Sequence, residues 1–297
     1  IIDSSSWKWS VSGNIGVNRN EISDLGLLPA DFGCLGERVG YYGNSLGDHF
    51  GVGHIFLAGE APGLFYGYVT QGIVQKEDIT ENGIKYIKQD GSVGYYQTVN
   101  KTTPVAGDVK YVDRNGDGVV DDNDRDIIGN PNPDFTYGFQ TKVSWKSLSL
   151  SASFNGVQGR DILNVGNRYN NTPGTKSNNV TRKAFQNMWT DENPSNLYPK
   201  STFVVQNMVM DRYVEDGSYL RCSDITLSYV LPAKWTNKIG IKNTSVYASV
   251  KNAFVITDYS GYDPEVNSFA FDGLRPGVDM NSYPTPRSFV FGLNLTF

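Results

Sequence analysis

Cysteine, histidine and methionine are nearly missing from this 297-residue chain, at two, two and four residues. Cys34 and Cys222 lie far apart; they allow one disulfide in an oxidising compartment but make no disulfide framework. His49 and His54 stand five apart in a Gly- and aromatic-rich stretch, with no Cys or carboxylate at ligand spacing, so they read as loop packing residues. Basic residues are not in excess. The formal charge of −5 argues against a nucleic-acid partner, which would need clustered Lys and Arg. No window approaches the ~18 consecutive apolar residues of a membrane helix. No Gly-x-Ser-x-Gly elbow, phosphate-binding glycine loop or Cys/His pairing is found, and no two carboxylates stand out as a glycosidase pair, so an enzyme is not expected. The opening Ile1-Ile2-Asp3-Ser4-Ser5-Ser6 has no leader pattern, and the chain is expected to be a processed piece or a fragment of something longer.

What the chain does have is 18 Tyr, 15 Phe, 5 Trp and 32 Gly, which suits strands joined by turns and loops. Near the end Phe289, Phe291, Leu293, Leu295 and Phe297 alternate with Ser288, Val290, Gly292, Asn294 and Thr296. Strict period-2 alternation gives an extended strand one apolar face and one small or polar face. A last strand that finishes on an aromatic suits an outer-membrane β-barrel. Strands of this kind are expected near 7–18, 134–145, 147–156, 217–231, 245–256 and 286–297, each about the ~9–11 residues a tilted strand needs to cross a bilayer.

Soluble sandwich strands alternate in the same way, so loop lengths must discriminate. The connections 19–133, 157–216 and 257–285 are long, whereas those at Lys146 and after Pro232 are short. Short periplasmic turns alternating with long extracellular loops are the barrel pattern. That sidedness places Trp7, Trp9, Trp145, Tyr229 and Phe297 near one rim and Phe135 and Tyr137 near the other, as two aromatic girdles. Six strands do not close a pore, so further strands are needed from a missing part or another polypeptide. The fold expected is all-β: the C-terminal six or so antiparallel strands of a large transmembrane barrel with long extracellular loops. The competing expectation is a secreted calcium-stapled β-module for adhesion or carbohydrate binding.

The segment 113–124 fits a calcium-loop pattern. Asp113, Asn115 and Asp117 take positions 1, 3 and 5; Gly118 makes the sharp turn; the Val119 carbonyl, Asp121 and Asp124 complete the set. Alternate short oxygen-bearing side chains on a curling backbone suit a hard cation, Ca²⁺ in the first place. Asp124, shorter than the usual Glu, favours weaker binding or admits Mg²⁺. The flanks read as extended rather than helical, which makes the loop a staple and not a switch. Tyr41, Tyr42, Tyr95, Tyr96, Tyr259 and Tyr262 are candidates to stack on sugar rings or to pack the loops together.

Several stretches resemble the SusC/RagA family of TonB-linked outer-membrane receptors. They are Gly107-Asp108-Val109-Lys110-Tyr111 ahead of the Asp-rich loop, Asn130-Pro131-Asn132-Pro133-Asp134-Phe135 after it, Phe154-Asn155-Gly156-Val157-Gln158-Gly159-Arg160-Asp161, Val214-Glu215-Asp216-Gly217-Ser218-Tyr219-Leu220-Arg221 and Pro284-Thr285-Pro286-Arg287. Cys222 and Ser223 depart from the family's usual apolar or basic residues. The resemblance implies a large plugged barrel of about 22 strands, an outer-membrane location and a SusD-like surface lipoprotein as partner. It also implies import of glycans or oligopeptides, with TonB acting through an N-terminal part that has no counterpart here.

Overall fold

The computed structural model describes residues 2–3, 6–26, 39–41, 46, 51–172, 179–201, 208–236, 241 and 243–296. Its largest element is a seven-stranded meander in which every neighbouring pair is antiparallel. The strands are β1 (Ile2–Asp3), β2 (Trp7–Gly16), β3 (Phe135–Trp145), β4 (Leu148–Gln158), β5 (Tyr219–Val230), β6 (Asn243–Thr257) and β7 (Ser288–Thr296). Sequence pattern anticipates six of these; the short β1, paired Ile2 to Trp9, lies where the first residues show no alternation. Phe297, Cys34, His49 and Tyr42 fall outside the described residues.

Register turns alternation along each strand into rows across the sheet. One face carries Trp7–Trp145–Leu148–Tyr229–Val246–Leu293, then Trp9–Val143–Leu150–Leu227–Ala248–Phe291, then Val11–Thr141–Ala152–Ile225–Val250–Phe289. The opposite face carries Ser10–Lys142–Ser151–Thr226–Ser249 and Ser12–Gln140–Ser153–Asp224–Lys251. A one-residue slip anywhere would exchange the faces, so the register is strongly specified. Yet the apolar face is uncovered: Ile15, Leu150, Phe289, Phe291 and Leu293 are all exposed. Exposed apolar residues in continuous rows belong against lipid or a partner, not water.

A β-bulge keeps the faces consistent. The register shifts between Cys222 and Asp224, with Ser223 as the additional residue against β4 and its hydroxyl bonded to the Ser153 carbonyl at 3.1 Å. The extra residue lets Cys222 stay on the apolar row between Phe154 and Phe254 while Asp224 stays on the polar one. Cys222 and Ser223 thus sit at the bulge. Cys222 is fully buried with a free thiol.

All three long connections leave from the same end of the sheet, whereas the turn at Lys146 (φ 51°) closes the other. At that short-turn end Trp7 and Trp145 lie 5.9 Å apart, with the Lys146 ammonium 5.1 Å from the Trp145 ring. The helix Ala233–Thr236 adds the exposed Trp235 to the same end.

The buried core does not lie in the sheet but in the loops. Phe65, Tyr68, Tyr86, Tyr96, Tyr111 and Val120 from the first connection pack with Leu163, Val165 and Tyr213 from the second and Val278 from the third. Short sheets cross the connections as well, since Asp161–Asn164 pairs with both Val214–Asp216 and Val278–Asp279. The loops are one folded body. That corrects part of the aromatic reading: Tyr96 and Tyr259 are buried packing residues, while Tyr95 and Tyr262 are exposed. No described helix is long and apolar enough to cross a membrane.

Candidate functional site

The polar face of the sheet runs into the loop body through a buried charge cluster. Arg221 on β5 pairs with Asp263 and, at 3.2 Å, with Glu265 of the last connection. Asn155 on β4 donates to Glu265 at 3.0 Å, and Arg160 donates to the Pro264 carbonyl. Burial opposes ionisation of Asp263, but the amides of Glu265 and Thr285, with the Arg221 guanidinium, hold its carboxyl below the usual carboxylate range. Along the same face Lys251 pairs with Asp224 at 2.6 Å, and Asp224 also accepts from Ser249 and Thr226. Ser12, Asn14, Gln140, Ser153 and Asn155 line a shallow groove of about 730 Å³ beside this cluster. Gly138 deepens it, because a Cβ there would come 2.7 Å from Asn14 Oδ1. A wall of amides and hydroxyls with paired charges suits contact with water and hydrogen-bonding solutes. Sequence alternation gives no signal for this cluster, because Arg221 shares the parity of Ile225, Leu227 and Tyr229 and only the bulge at Ser223 turns it to the polar face.

The Asp-rich loop sits between short strands, Val109–Tyr111 before it and Asp126–Gly129 after it, with a single 3₁₀ turn at Asp122–Asp124. Gly116 (φ 76°) and Gly118 (φ 86°) make the left-handed bends of the curl. Asp113 accepts from the amides of Gly116 and Gly118 at 2.6 and 2.8 Å. Asn115 Oδ1 accepts from Asp117, Asp117 Oδ1 from Val119, and Asp121 Oδ1 from Asn123. Asp124 accepts from Arg114, Asn115 and Asp121. The loop is tied to its surroundings through Val119–Val120, paired in parallel with Thr98–Val99, and through Tyr86, whose hydroxyl donates to the Asp113 carbonyl at 2.7 Å.

As it stands the loop does not gather three acidic side chains at one point; among the described residues no group of three His, Cys, Asp or Glu does so. The donor chemistry nevertheless fits a hard cation. Asp113 and Asp124 are both buried, and burial first, then the charge of Asp113, pushes the Asp124 carboxyl up. Two buried carboxylates repelling each other are what a divalent cation relieves.

An open antiparallel sheet with one apolar exposed face, one polar face and a folded loop body at one end is a segment of an outer-membrane β-barrel receptor. No family model matches the chain. It is 30% identical over its whole length to TonB-dependent receptor P3 of Formosa agariphila, of which it spans 27%. It is 34% identical over 194 residues (63% of this chain, 17% of the relative) to TonB-dependent receptor SusC of Bacteroides thetaiotaomicron. All of it superposes on 27% of a chain of the RagAB peptide importer in its open-open state, with a TM-score of 0.67 and 26% identity. The chain therefore spans about a quarter of the length of the curated relatives it matches over its whole length. It belongs to the SusC/RagA family of TonB-dependent receptors, in the outer membrane, and is not an enzyme.

Proposed function

We propose that this chain forms part of the wall and mouth of an importer that takes up glycans or oligopeptides across the outer membrane. The observation that carries the reading is the two-faced register: continuous apolar rows for lipid, and polar rows that run into a loop body beside the groove. The loop body lies outside the cell and the Lys146 turn faces the periplasm. A SusD-like lipoprotein covers the mouth, and TonB supplies energy through a part of the receptor beyond this chain. The likeness to the RagAB peptide importer supports the import reading.

The loop 113–124 binds Ca²⁺, or Mg²⁺ more weakly, through Asp113, Asn115, Asp117, the Val119 carbonyl, Asp121 and Asp124. The ion supplies a rigid cross-link at the foot of the first connection and takes no part in transport chemistry.

Deleting the receptor in its host and growing the cells on single glycans or on oligopeptides tests the import reading. Loss of growth on one nutrient, restored by the intact receptor, is expected, as is co-purification of a surface lipoprotein. Unchanged growth on every nutrient, with no lipoprotein recovered, would contradict it.

A further inference from the structure

The second connection folds back on itself around a cavity of about 200 Å³. Asn167 and Asn171 reach it from the helix Val165–Asn171, Lys183 from the helix Arg182–Asn187, Tyr198 from the segment after that helix, and Arg212 and Tyr213 from the 3₁₀ turn Asp211–Tyr213. The volume is several times the ~30 Å³ share of one water and below the roughly 300–1,000 Å³ of pockets that enclose a drug-sized ligand. It suits a small ion.

The amides of the wall are used within the protein. Asn167 Nδ2 donates to Glu215 at 2.9 Å, Asn167 Oδ1 accepts from Asn171 Nδ2, and Asn171 Oδ1 accepts from the Thr181 hydroxyl at 2.6 Å. The cations are not used up. Arg212 donates through Nη2 to the Leu197 carbonyl, but its Nη1 is buried with no hydrogen-bond partner among the described residues. Lys183 is exposed at the cavity's edge with no ion pair among the described residues, and the hydroxyls of Tyr198 and Tyr213 donate to none of them. Carboxylates face elsewhere: among the described residues no Asp or Glu lines the cavity. Asp211 has both oxygens bonded to Thr70, at 2.6 and 3.1 Å, and Glu215 has both bonded, to Asn164, Asn167 and Ser260. Asp191 pairs with Lys76 at 2.7 Å, and Glu192 is exposed. The stretches 173–182 and 200–210, which join lining segments, contain Lys176, Arg182 and Lys200 but no Asp or Glu.

A buried guanidinium N–H with no acceptor is costly, and native folds supply such a group with a water or an ion. Water would accept the hydrogen bond but leave two positive charges uncompensated. An oxyanion answers both needs, and its several oxygens suit donors that converge from separate segments. We infer that the Lys183–Arg212 cavity binds one tetrahedral oxyanion, of the sulfate or phosphate class. The anion ties the helix Arg182–Asn187, the segment at Tyr198 and the turn Asp211–Tyr213 together. Its role is to hold the second connection in shape, whatever the solute imported.

The test is calorimetric titration of the full-length receptor in detergent with sodium sulfate, sodium phosphate and, at equal ionic strength, sodium chloride. Sulfate or phosphate is expected to bind at one site, with Lys183→Gln and Arg212→Gln each weakening it about tenfold, the loss of one charge-assisted hydrogen bond. Arg182→Gln removes a neighbouring cation outside the cavity and should bind as the parent does. Limited proteolysis gives a second readout: the bound oxyanion should slow cleavage within 165–213 of the parent but not of Lys183→Gln, a change at an exposed position that the fold tolerates. Phenyl phosphate, titrated beside inorganic phosphate, distinguishes the sources. Binding of inorganic phosphate alone assigns the cavity to the free ion, and binding of both assigns it to the group whatever carries it; either supports the site. No oxyanion bound, chloride bound as tightly, or an equal loss in Arg182→Gln and Lys183→Gln would overturn it.

Discussion

At the scale of single residues, the loop body depends on groups that titrate abnormally. His54 is fully buried, and burial chiefly lowers its pKa from 6.5 to about 4, against the opposing hydrogen bond to the Pro276 carbonyl at 3.2 Å. A histidine kept neutral in the fold but free to charge when unfolded contributes stability in full above pH 6.5. That stability is lost as pH falls from 6.5 to about 4, by roughly 3 kcal/mol in total. Protection of the strands His54–Leu57 and Leu64–Gly67 against hydrogen exchange, relative to the intrinsic rate at each pH, should therefore fall across that window, and His54→Gln should flatten the dependence. Equal pH sensitivity with and without His54 would contradict the assignment. The Arg221–Asp263 pair makes a second residue-scale prediction. Removing one partner of a buried ion pair leaves the other charge uncompensated, typically at ~3–5 kcal/mol. Arg221→Met should make the connection 258–287 readily cleaved by protease while the barrel strands stay protected.

At the scale of elements, strands were legible and loops were not. Six strands announced themselves because a barrel wall is a two-sided surface, and alternation is the direct imprint of two solvents on one strand. Ser223 is legible only as a switch of parity, with Leu220 and Cys222 before it and Ile225, Leu227 and Tyr229 after it on the apolar face, and alternation alone does not identify the switch as a bulge. The Asp-rich loop is legible as a candidate ligand set by type and spacing. Its carboxylates' bonds to backbone amides were not, because they depend on how the chain curls. The burial of Tyr96 and Tyr259 was hidden for a similar reason: irregular segments pack by contacts distant in sequence, which leave no period. Two predictions belong here. Leu150 and Ser151 are neighbours on β4 that face opposite sides. Leu150→Arg, one row in from the Trp7–Trp145 rim, should cost less than the ~2–4 kcal/mol of an Arg at the bilayer midplane and still impair membrane assembly, while Ser151→Arg should assemble normally, as read by heat-modifiable migration on gels. Asp117→Ala should weaken calcium about tenfold without unfolding the loop, measured by titration of metal-stripped receptor. Calcium should also raise the unfolding temperature of the stripped parent, because it binds only the folded loop.

At the scale of the whole molecule, the sheet is incomplete by itself. Among the described residues β7 has one neighbour, and β1, two residues long, shields little of β2. Bare edges are not tolerated in lipid, so both must be continued by the rest of the receptor. This fits a chain that spans about a quarter of its whole-length curated relatives. The architecture then divides labour: the wall is stabilised by register and lipid, whereas the loop body carries its own hydrophobic core. The central claim is that this sheet crosses the outer membrane with that body outside. The most direct measurement is labelling of intact cells with a membrane-impermeant maleimide, using single cysteines in a receptor whose Cys34 and Cys222 are alanine. Ser92→Cys, in the loop body, is predicted to label on intact cells, and Lys146→Cys, in the tight turn, only after the outer membrane is opened. Labelling of both on intact cells, or of the turn alone, would contradict the account.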